Sequence, residues 1–294
     1  MTTTLTDERR GVLRGTGTPT TPQNLMVFVL SMALFGLSNI ILEIIPDITI
    51  GPVDFSVAYF VFVPITLAAL VSPFWVALGA PLGEIVFTDL LMGDFSGLSE
   101  VEGFIQMFLA IYIAGSVIRN PLSKAQIFLG SVLVVGIDKF LSAAVDLAKV
   151  WVGVEDAEYV QGLPESVLLL EGIGFVIDIA MSGILFGAIP AMWLIPALYR
   201  KIEPMLGLRP RVPGEKIPGS VPKAVWFVVV AVFAGIGSFF FAFLEALDVS
   251  VGAVEGDYRE QFGDQFLWIS VGALVVVLVI ATILFSVWRK RSRK

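Results

Sequence analysis

Eight long apolar segments constrain this chain more than any other feature. A helix that crosses a bilayer needs about 20 mostly apolar residues, and such segments recur along nearly the whole sequence, at 24–45, 55–71, 74–92, 103–118, 125–150, 166–190, 223–247 and 266–288. Apolar residues make up 56% of the chain and charged residues 15%, which leaves no polar stretch for a large soluble domain. The sequence therefore predicts an all-α, polytopic membrane helix bundle with about eight transmembrane helices.

Polar stretches between these segments set the predicted domain organisation. A polar tail, a six-helix membrane core, a basic linker, two additional transmembrane helices and a basic tail follow one another at 1–23, 24–200, 201–222, 223–288 and 289–294. The first tail is too long and too polar for the charged part of a signal peptide. We therefore expect the first helix to remain in the mature protein.

Lysine and arginine are distributed unevenly among the connections. If the N-terminus is cytoplasmic and every apolar segment crosses the bilayer, the cytoplasmic parts hold 16 Lys and Arg, whereas the outward loops hold only Arg259. The same outward loops hold 14 Asp and Glu. Because basic residues are enriched in cytoplasmic connections, this distribution predicts a multi-pass protein of the plasma membrane with both termini in the cytoplasm.

Two residue types are missing from the sequence, and their absence limits the chemistry. The chain has no cysteine and no histidine, which excludes disulfides, thiolate ligands and imidazole bases. It also lacks a Gly-x-x-x-x-Gly-Lys-Ser/Thr phosphate loop and a Gly-x-Ser-x-Gly motif. We predict that the protein is not an enzyme and uses no cofactor or metal. The basic C-terminal tail is interpreted as a membrane anchor rather than a nucleic-acid patch.

Ionisable residues inside the apolar segments are the candidate functional residues. A charged group inside a span is costly and usually functional. The spans contain two lysines, Lys139 and Lys149, and eight acidic residues: Glu43, Glu84, Asp89, Asp138, Asp146, Glu171, Asp178 and Glu245. Most of them lie nearer the predicted outward ends of their helices than the cytoplasmic ends. We therefore expect a polar cluster that opens to the cell exterior.

Helical spacing refines this cluster. Glu171 and Asp178 are seven residues apart and share one helix face, whereas Asp146 and Lys149 are three apart and can pair within their helix. We predict a substrate site between the third, fifth and sixth helices, in which one lysine neutralises part of the charge and five carboxylates accept hydrogen bonds: Lys139 with Glu84, Asp89, Asp138, Glu171 and Asp178.

Small and aromatic residues give two further expectations. Spacings such as Gly79-x-x-x-Gly83 allow helices to approach closely, and we expect most of them to be contacts inside the bundle. Aromatic residues near the predicted outward side could form an interfacial belt or line a pocket. We favour the belt for Phe55, Tyr59, Phe87, Phe95 and Trp151.

One stretch resembles a known family. The loop GPVDFS, the helix FWVALGAPLGEIVFTDLLMGD and the later segment FIQMFLAIYIAGSVIR are similar to the substrate-binding S components of energy-coupling factor (ECF) transporters, and the resemblance extends over about residues 24–200. It implies a six-helix bundle that captures a vitamin or similar nutrient on the outward side. It also implies separate partners, namely a coupling membrane subunit and a pair of cytoplasmic ATPases.

Three functional hypotheses follow. The leading one is a substrate-binding membrane subunit that takes up a small polar solute, and the excess of carboxylates favours a cationic one. The second is a self-contained transporter driven by protons or Na⁺, since buried carboxylates also serve as relays. The third is a membrane scaffold or assembly subunit without transport activity, in which the carboxylates would hold helices together.

Overall fold

The computed structural model describes most of the helical core and a few flanking residues. The described residues are 19–43, 48–50, 53–92, 94–153, 167–222, 225–247 and 254–255. Their helices are α1 (Thr21–Glu43), α2 (Phe62–Leu70), α3 (73–92), α4 (Glu100–Val117), α5 (Lys124–Val152), α6 (167–198), α7 (Ile202–Met205) and α8 (Val225–Ala246). Two antiparallel ladders pair β1 (Ile48–Ile50) with β2 (Val53–Phe55) and β3 (Asp94–Phe95) with β4 (Val254–Glu255).

The described part of the chain is a helix bundle. Five of its helices are long and apolar enough to cross a bilayer, namely α1, α4, α5, α6 and α8. The predicted polytopic membrane helix bundle is therefore confirmed. The predicted eighth span, 266–288, lies outside the described residues, so the number of eight spans stays a prediction.

The second predicted span, 55–71, differs from expectation because only Phe62–Leu70 is helical. This nine-residue helix is roughly 13 Å long at about 1.5 Å per residue, less than half of a hydrocarbon core about 30 Å thick. Pro64 lies in the first turn of α2, where its missing N–H has no intrahelical acceptor to lose. The preceding residues, 56–60, belong to no helix or strand.

The non-helical segment 56–60 is partly or fully buried by the surrounding protein. Tyr59 is 2% exposed, and the Ala58 backbone N–H donates a hydrogen bond to Ser182 Oγ at 2.9 Å. Non-helical backbone at membrane depth is tolerated where protein surrounds it and satisfies its polar groups. The non-helical backbone of residues 56–60 therefore lies next to α6.

Two of the long helices contain wider π-helical turns. In α3, the α-helical part Pro73–Glu84 is followed by π-helix over Ile85–Asp89. In α6, the π-helical part covers Ile179–Ala188, and Pro190 follows it. A proline removes one helical hydrogen bond and crowds the preceding turn, and a wider turn relieves that crowding. Such turns are frequent at functional sites.

Glycines bring α1 and α3 into close contact. A Cβ atom at Gly79 would overlap Ser31 Oγ and the Phe28 carbonyl oxygen, and one at Gly83 would overlap the Met32 carbonyl oxygen. The expectation that this Gly-x-x-x-Gly spacing is an internal bundle contact is therefore confirmed.

The hydrophobic core surrounds the short helix α2. Side chains with almost no exposure come from α2, α3, α4, α5 and α6, and include Ile65, Val76, Ile111, Ile127 and Ile195. Because lipid tails are as apolar as these side chains, close van der Waals packing rather than removal from water holds such a core together inside a bilayer. A helix too short to span a bilayer alone is thus fixed by packing on several sides.

The predicted basic linker, 201–222, is not an extended connection. Residues 199–222, called the cap below, fold against one end of the bundle. The Arg211 guanidinium donates hydrogen bonds to the carbonyl oxygens of Ala69 and Ile118 at the ends of α2 and α4. These carbonyls lie where helices lack internal donors, so the arginine satisfies two helix ends at once. Glu203 is 1% exposed in the same region.

Candidate functional site

A cavity of about 340 Å³ opens at the end of the bundle opposite the cap. Its walls are α3, α4, α5 and the non-helical segment 56–60. Five acidic side chains and one basic side chain line it: Glu84, Asp89, Glu100, Glu102, Asp138 and Lys139. The cavity therefore concentrates negative charge at this end of the bundle.

Four of the six predicted site residues line this cavity, namely Glu84, Asp89, Asp138 and Lys139. Glu84 and Asp89 flank the start and end of the π-helical turn of α3, which the sequence did not indicate. In a regular helix, residues five apart diverge by about 140°. The wider π-helical turn changes the angle between the two side chains around the helix axis, and both side chains line the same cavity.

The other two predicted site residues, Glu171 and Asp178, are not among the described residues that line the cavity. Both lie on α6, whereas α4 forms the wall that the sequence had assigned to the sixth helix. Both residues therefore lie outside the described wall of the cavity.

Tyr59, Asp138 and Lys139 form the centre of the site. The Tyr59 hydroxyl donates a hydrogen bond to Asp138 Oδ2 at 2.8 Å, and Lys139 Nζ lies 5.6 Å from the centroid of the Tyr59 ring. Asp138 is 7% exposed. A buried carboxylate requires a hydrogen-bond donor or a cation nearby, and here Tyr59 supplies the donor while the next residue supplies the cation.

Tyr59 was assigned to the interfacial belt by sequence, and that interpretation was wrong. Its ring is buried and lines the cavity, and Phe87 is also buried. Trp151, by contrast, is 82% exposed, as a belt residue should be. The signal that could have located Tyr59 is Pro64, which shortens the following helix and leaves residues 56–60 inside the bundle.

Glu100 and Glu102 were also missed, because the sequence counted them as charges of an outward loop. Ser96 donates to Glu100 Oε1 from its backbone N–H at 3.1 Å and from its hydroxyl at 2.6 Å, so both hydrogen bonds end on one carboxylate oxygen at the start of α4. Gln106 Nε2 donates to Glu102 Oε1 at 2.5 Å. The acidic residue four positions after Ser96 was the available signal for a helix that starts earlier.

The remaining acids of the spans lie elsewhere. Asp146 pairs with Lys149 within α5 at 3.6 Å, which confirms the predicted pair, and neither residue lines the cavity. The side chains of Glu43 and Glu245 lie outside what the structure describes.

The fold and the site together define a polytopic helical membrane protein with a cavity lined mainly by carboxylates. A family model described as "Family of unknown function (DUF8171)" matches residues 26–294. The chain therefore belongs to the DUF8171 family. No curated protein and no solved structure matches the chain.

Proposed function

We propose that this protein is the membrane-embedded, substrate-binding subunit of an uptake system for a small, positively charged polar solute, such as a vitamin. The observation that carries the proposal is the cavity lined by five carboxylates and a single ammonium group. Its volume of about 340 Å³ falls at the lower end of the range of about 300–1,000 Å³ that is usual for small-molecule sites.

The charge of the cavity determines the class of ligand. Unit charges about 4 Å apart interact by roughly 4 kcal/mol near a protein surface, several times more than in bulk water. A cationic ligand would offset repulsion among the carboxylates, whereas an anionic ligand would add to it. Tyr59 and Phe104 line the same cavity, and aromatic faces also attract organic cations.

The backbone around the cavity supports a transport role. Ala58 and Tyr59, which belong to no helix, and the π-helical turn of α3 both contribute to its wall. Interrupted helices are typical of solute sites near the middle of transporters, because they expose backbone groups and side chains that a regular helix would not. Both segments that depart from regular helix therefore lie in the wall of the cavity.

The orientation and the energy source come from the sequence. The excess of basic residues at the predicted cytoplasmic ends places the cavity toward the exterior of the cell, in the plasma membrane. The resemblance of residues 24–200 to ECF S components supplies the partners of the proposal, a coupling membrane subunit and cytoplasmic ATPases. The absence of a phosphate loop from the sequence is compatible with energy supplied by other subunits.

For the test, the solute is first identified by mass spectrometry of the purified protein. Uptake of this solute in radiolabelled form is then measured in membrane vesicles prepared from cells that express the chain. Glu84→Gln and Asp138→Asn should abolish both binding and uptake. Asp146→Asn is the matched control, because Asp146 lies on α5 with Asp138 but does not line the cavity. If both cavity variants bind the solute as tightly as the wild type, the proposal is wrong.

A proton- or Na⁺-driven transporter is the second candidate, and one observation favours it. Tyr59 and Asp138 form a buried hydrogen bond beside Lys139, and chains of ionisable groups inside membranes also serve as proton relays. Uptake that is collapsed by an ionophore and insensitive to ATP depletion would favour this candidate. Uptake that stops on ATP depletion while the ion gradient persists would favour the substrate-binding subunit.

A further inference from the structure

A second cavity lies at the opposite end of α4 from the carboxylate-lined cavity. It has a volume of about 490 Å³ and is formed by the end of α4, the start of α5 and the cap. Arg119 and Lys216 line it, together with Gln126, and no acidic side chain is among the described residues of its wall. The charges of the two cavities are therefore opposite.

The two cations are available to an external anion. Within the described ranges, neither Arg119 nor Lys216 forms an ion pair, and both side chains are exposed. The backbone of Arg119 is fixed, because its carbonyl oxygen accepts hydrogen bonds from Arg211 Nη2 at 3.2 Å and from the Gly214 N–H at 3.1 Å. The cap therefore fixes the position of the Arg119 backbone, from which the Arg119 side chain extends.

Gln126, in the first turn of α5, adds a further polar side chain to the same wall. Gln126 Oε1 accepts a hydrogen bond from the Asn120 N–H at 2.8 Å. The amide nitrogen of Gln126 therefore remains as a donor.

The rest of the wall is apolar. Ile113 and Val117 of α4 face Ile217 and Val221 of the cap. The Val221 N–H donates to Ser116 Oγ at 2.9 Å, which holds the cap against α4. A ligand that fits this wall combines an anionic group with hydrocarbon.

We propose that this cavity binds the phosphate group of an anionic phospholipid headgroup. Arginine and lysine bind phosphate through charge-assisted hydrogen bonds, and the apolar wall accommodates the adjoining glycerol and acyl carbons. The cavity lies at the end of the bundle that the basic residues assign to the cytoplasm, where anionic lipids attract basic side chains. A soluble phosphate offers the same anionic group, but it would leave the apolar wall uncovered.

The test uses the full-length chain in a neutral maltoside detergent. Short-chain phosphatidylglycerol, short-chain phosphatidylcholine and inorganic phosphate are titrated in separate arms, and bound ligand is measured by native mass spectrometry. The variant Arg119→Gln/Lys216→Gln removes both cavity cations. Lys201→Gln/Arg209→Gln is the matched control, because it removes the same charge from exposed positions of the cap outside this cavity.

We expect phosphatidylglycerol to bind the wild type more tightly than phosphatidylcholine. The cavity variant should bind it at least about tenfold more weakly, since it loses two hydrogen bonds to a charged group, and the control should bind it normally. The charge-preserving variant Arg119→Lys/Lys216→Arg should keep most of the affinity, which separates loss of charge from misfolding. Binding of inorganic phosphate that the cavity variant loses would support the phosphate site and assign a soluble source. Equal weakening by the cavity variant and the control, or by neither, would overturn the proposal.

Discussion

The Tyr59 hydroxyl donates a hydrogen bond to Asp138 Oδ2 at 2.8 Å, although the two residues are 79 positions apart in the sequence. This bond joins the non-helical segment 56–60 to the middle of α5. It also orients a carboxylate in the wall of the cavity. Because the donor comes from a segment that is not helical, the irregular backbone and the acidic site depend on each other.

Removal of the Tyr59 hydroxyl should therefore disturb the site. In Tyr59→Phe, the buried carboxylate of Asp138 loses its donor, which costs about 1–3 kcal/mol of stability for an unsatisfied buried polar group. Ligand affinity should fall as well, because Asp138 is no longer oriented. Tyr112→Phe is the control, since no hydrogen bond from the Tyr112 hydroxyl exists in the described part of the chain. Thermal unfolding and equilibrium binding measure both effects, and equal behaviour of the two variants would contradict the prediction.

Lys139 should control the charge preference of the cavity. It is the only basic residue among the described side chains that line it, so Lys139→Gln should tighten binding of a cationic ligand and weaken binding of an anionic one. Lys149→Gln, on the same helix but outside the cavity wall, should leave this preference unchanged. Calorimetric titration with a matched pair of cationic and anionic analogues provides the measurement. An unchanged ratio of affinities in Lys139→Gln would count against the electrostatic account.

Gly83 should tolerate no side chain. Gly83→Ala places a methyl group against the Met32 carbonyl oxygen of α1, and overpacking of this kind typically costs about 1–3 kcal/mol. Gly172→Ala is the comparison, because a Cβ atom there meets nothing within 4 Å, and alanine is favoured over glycine in a helix by about 0.5–1 kcal/mol. Unfolding in mixed micelles should rank Gly172→Ala above the wild type and Gly83→Ala below it. A reversed or flat ranking would show that α1 and α3 do not pack as described.

The cap should make stability depend on pH through Glu203. Burial raises the pKa of Glu203, while nearby backbone N–H groups and Arg211 oppose that rise, and burial lowers the pKa of Arg211 to about 10. Because the folded-state pKa of Glu203 exceeds its unfolded value, its contribution to stability is complete below the unfolded pKa. That contribution is lost as the pH rises through the folded pKa.

The Glu203→Gln variant tests this dependence. Between about pH 4 and about pH 8, the unfolding temperature of the wild type should fall relative to that of the variant, because only the wild type carries the buried titrating carboxyl. Glu215→Gln is the control, since Glu215 lies on the same cap and is exposed. A constant difference between wild type and Glu203→Gln across this range would exclude Glu203 as the source of the pH dependence.

Much of the membrane architecture could be predicted, because spanning helices follow from hydropathy and length. The segments at 24–45, 103–118, 125–150 and 223–247 all correspond closely to observed helices. The pairing of Asp146 with Lys149 was also predictable, since helical spacing alone brings residues three apart together.

The irregular parts could not be predicted from periodicity. A regular helix was expected over 55–71, but residues 56–60 are not helical, and the Ala58 N–H donates to Ser182 instead of to a helical carbonyl. The π-helical turn of α3 brings Glu84 and Asp89 to one cavity, although ideal helical geometry separates them. Both features depend on contacts between helices that are distant in sequence.

The sequence assigned α6 to the wall of the cavity, whereas α4 forms that wall in the structure. This difference has a similar cause. Glu171 and Asp178 share a helix face, and the sequence could establish that relation. It could not establish which neighbour that face meets. Glu100 and Glu102 were taken for loop charges because the polar start of α4 lies next to an acidic connection, and their partners Ser96 and Gln106 become evident only from the side-chain geometry.

The most direct test is native mass spectrometry of the purified wild-type chain incubated with an equimolar pool of small cationic, neutral and anionic solutes, compared with Glu84→Gln/Asp138→Asn. The account predicts that the wild type retains a cationic solute at a stoichiometry of one and that the double variant retains none. Retention of an anionic or neutral solute by the wild type, or of the same cationic solute by the double variant, would contradict it.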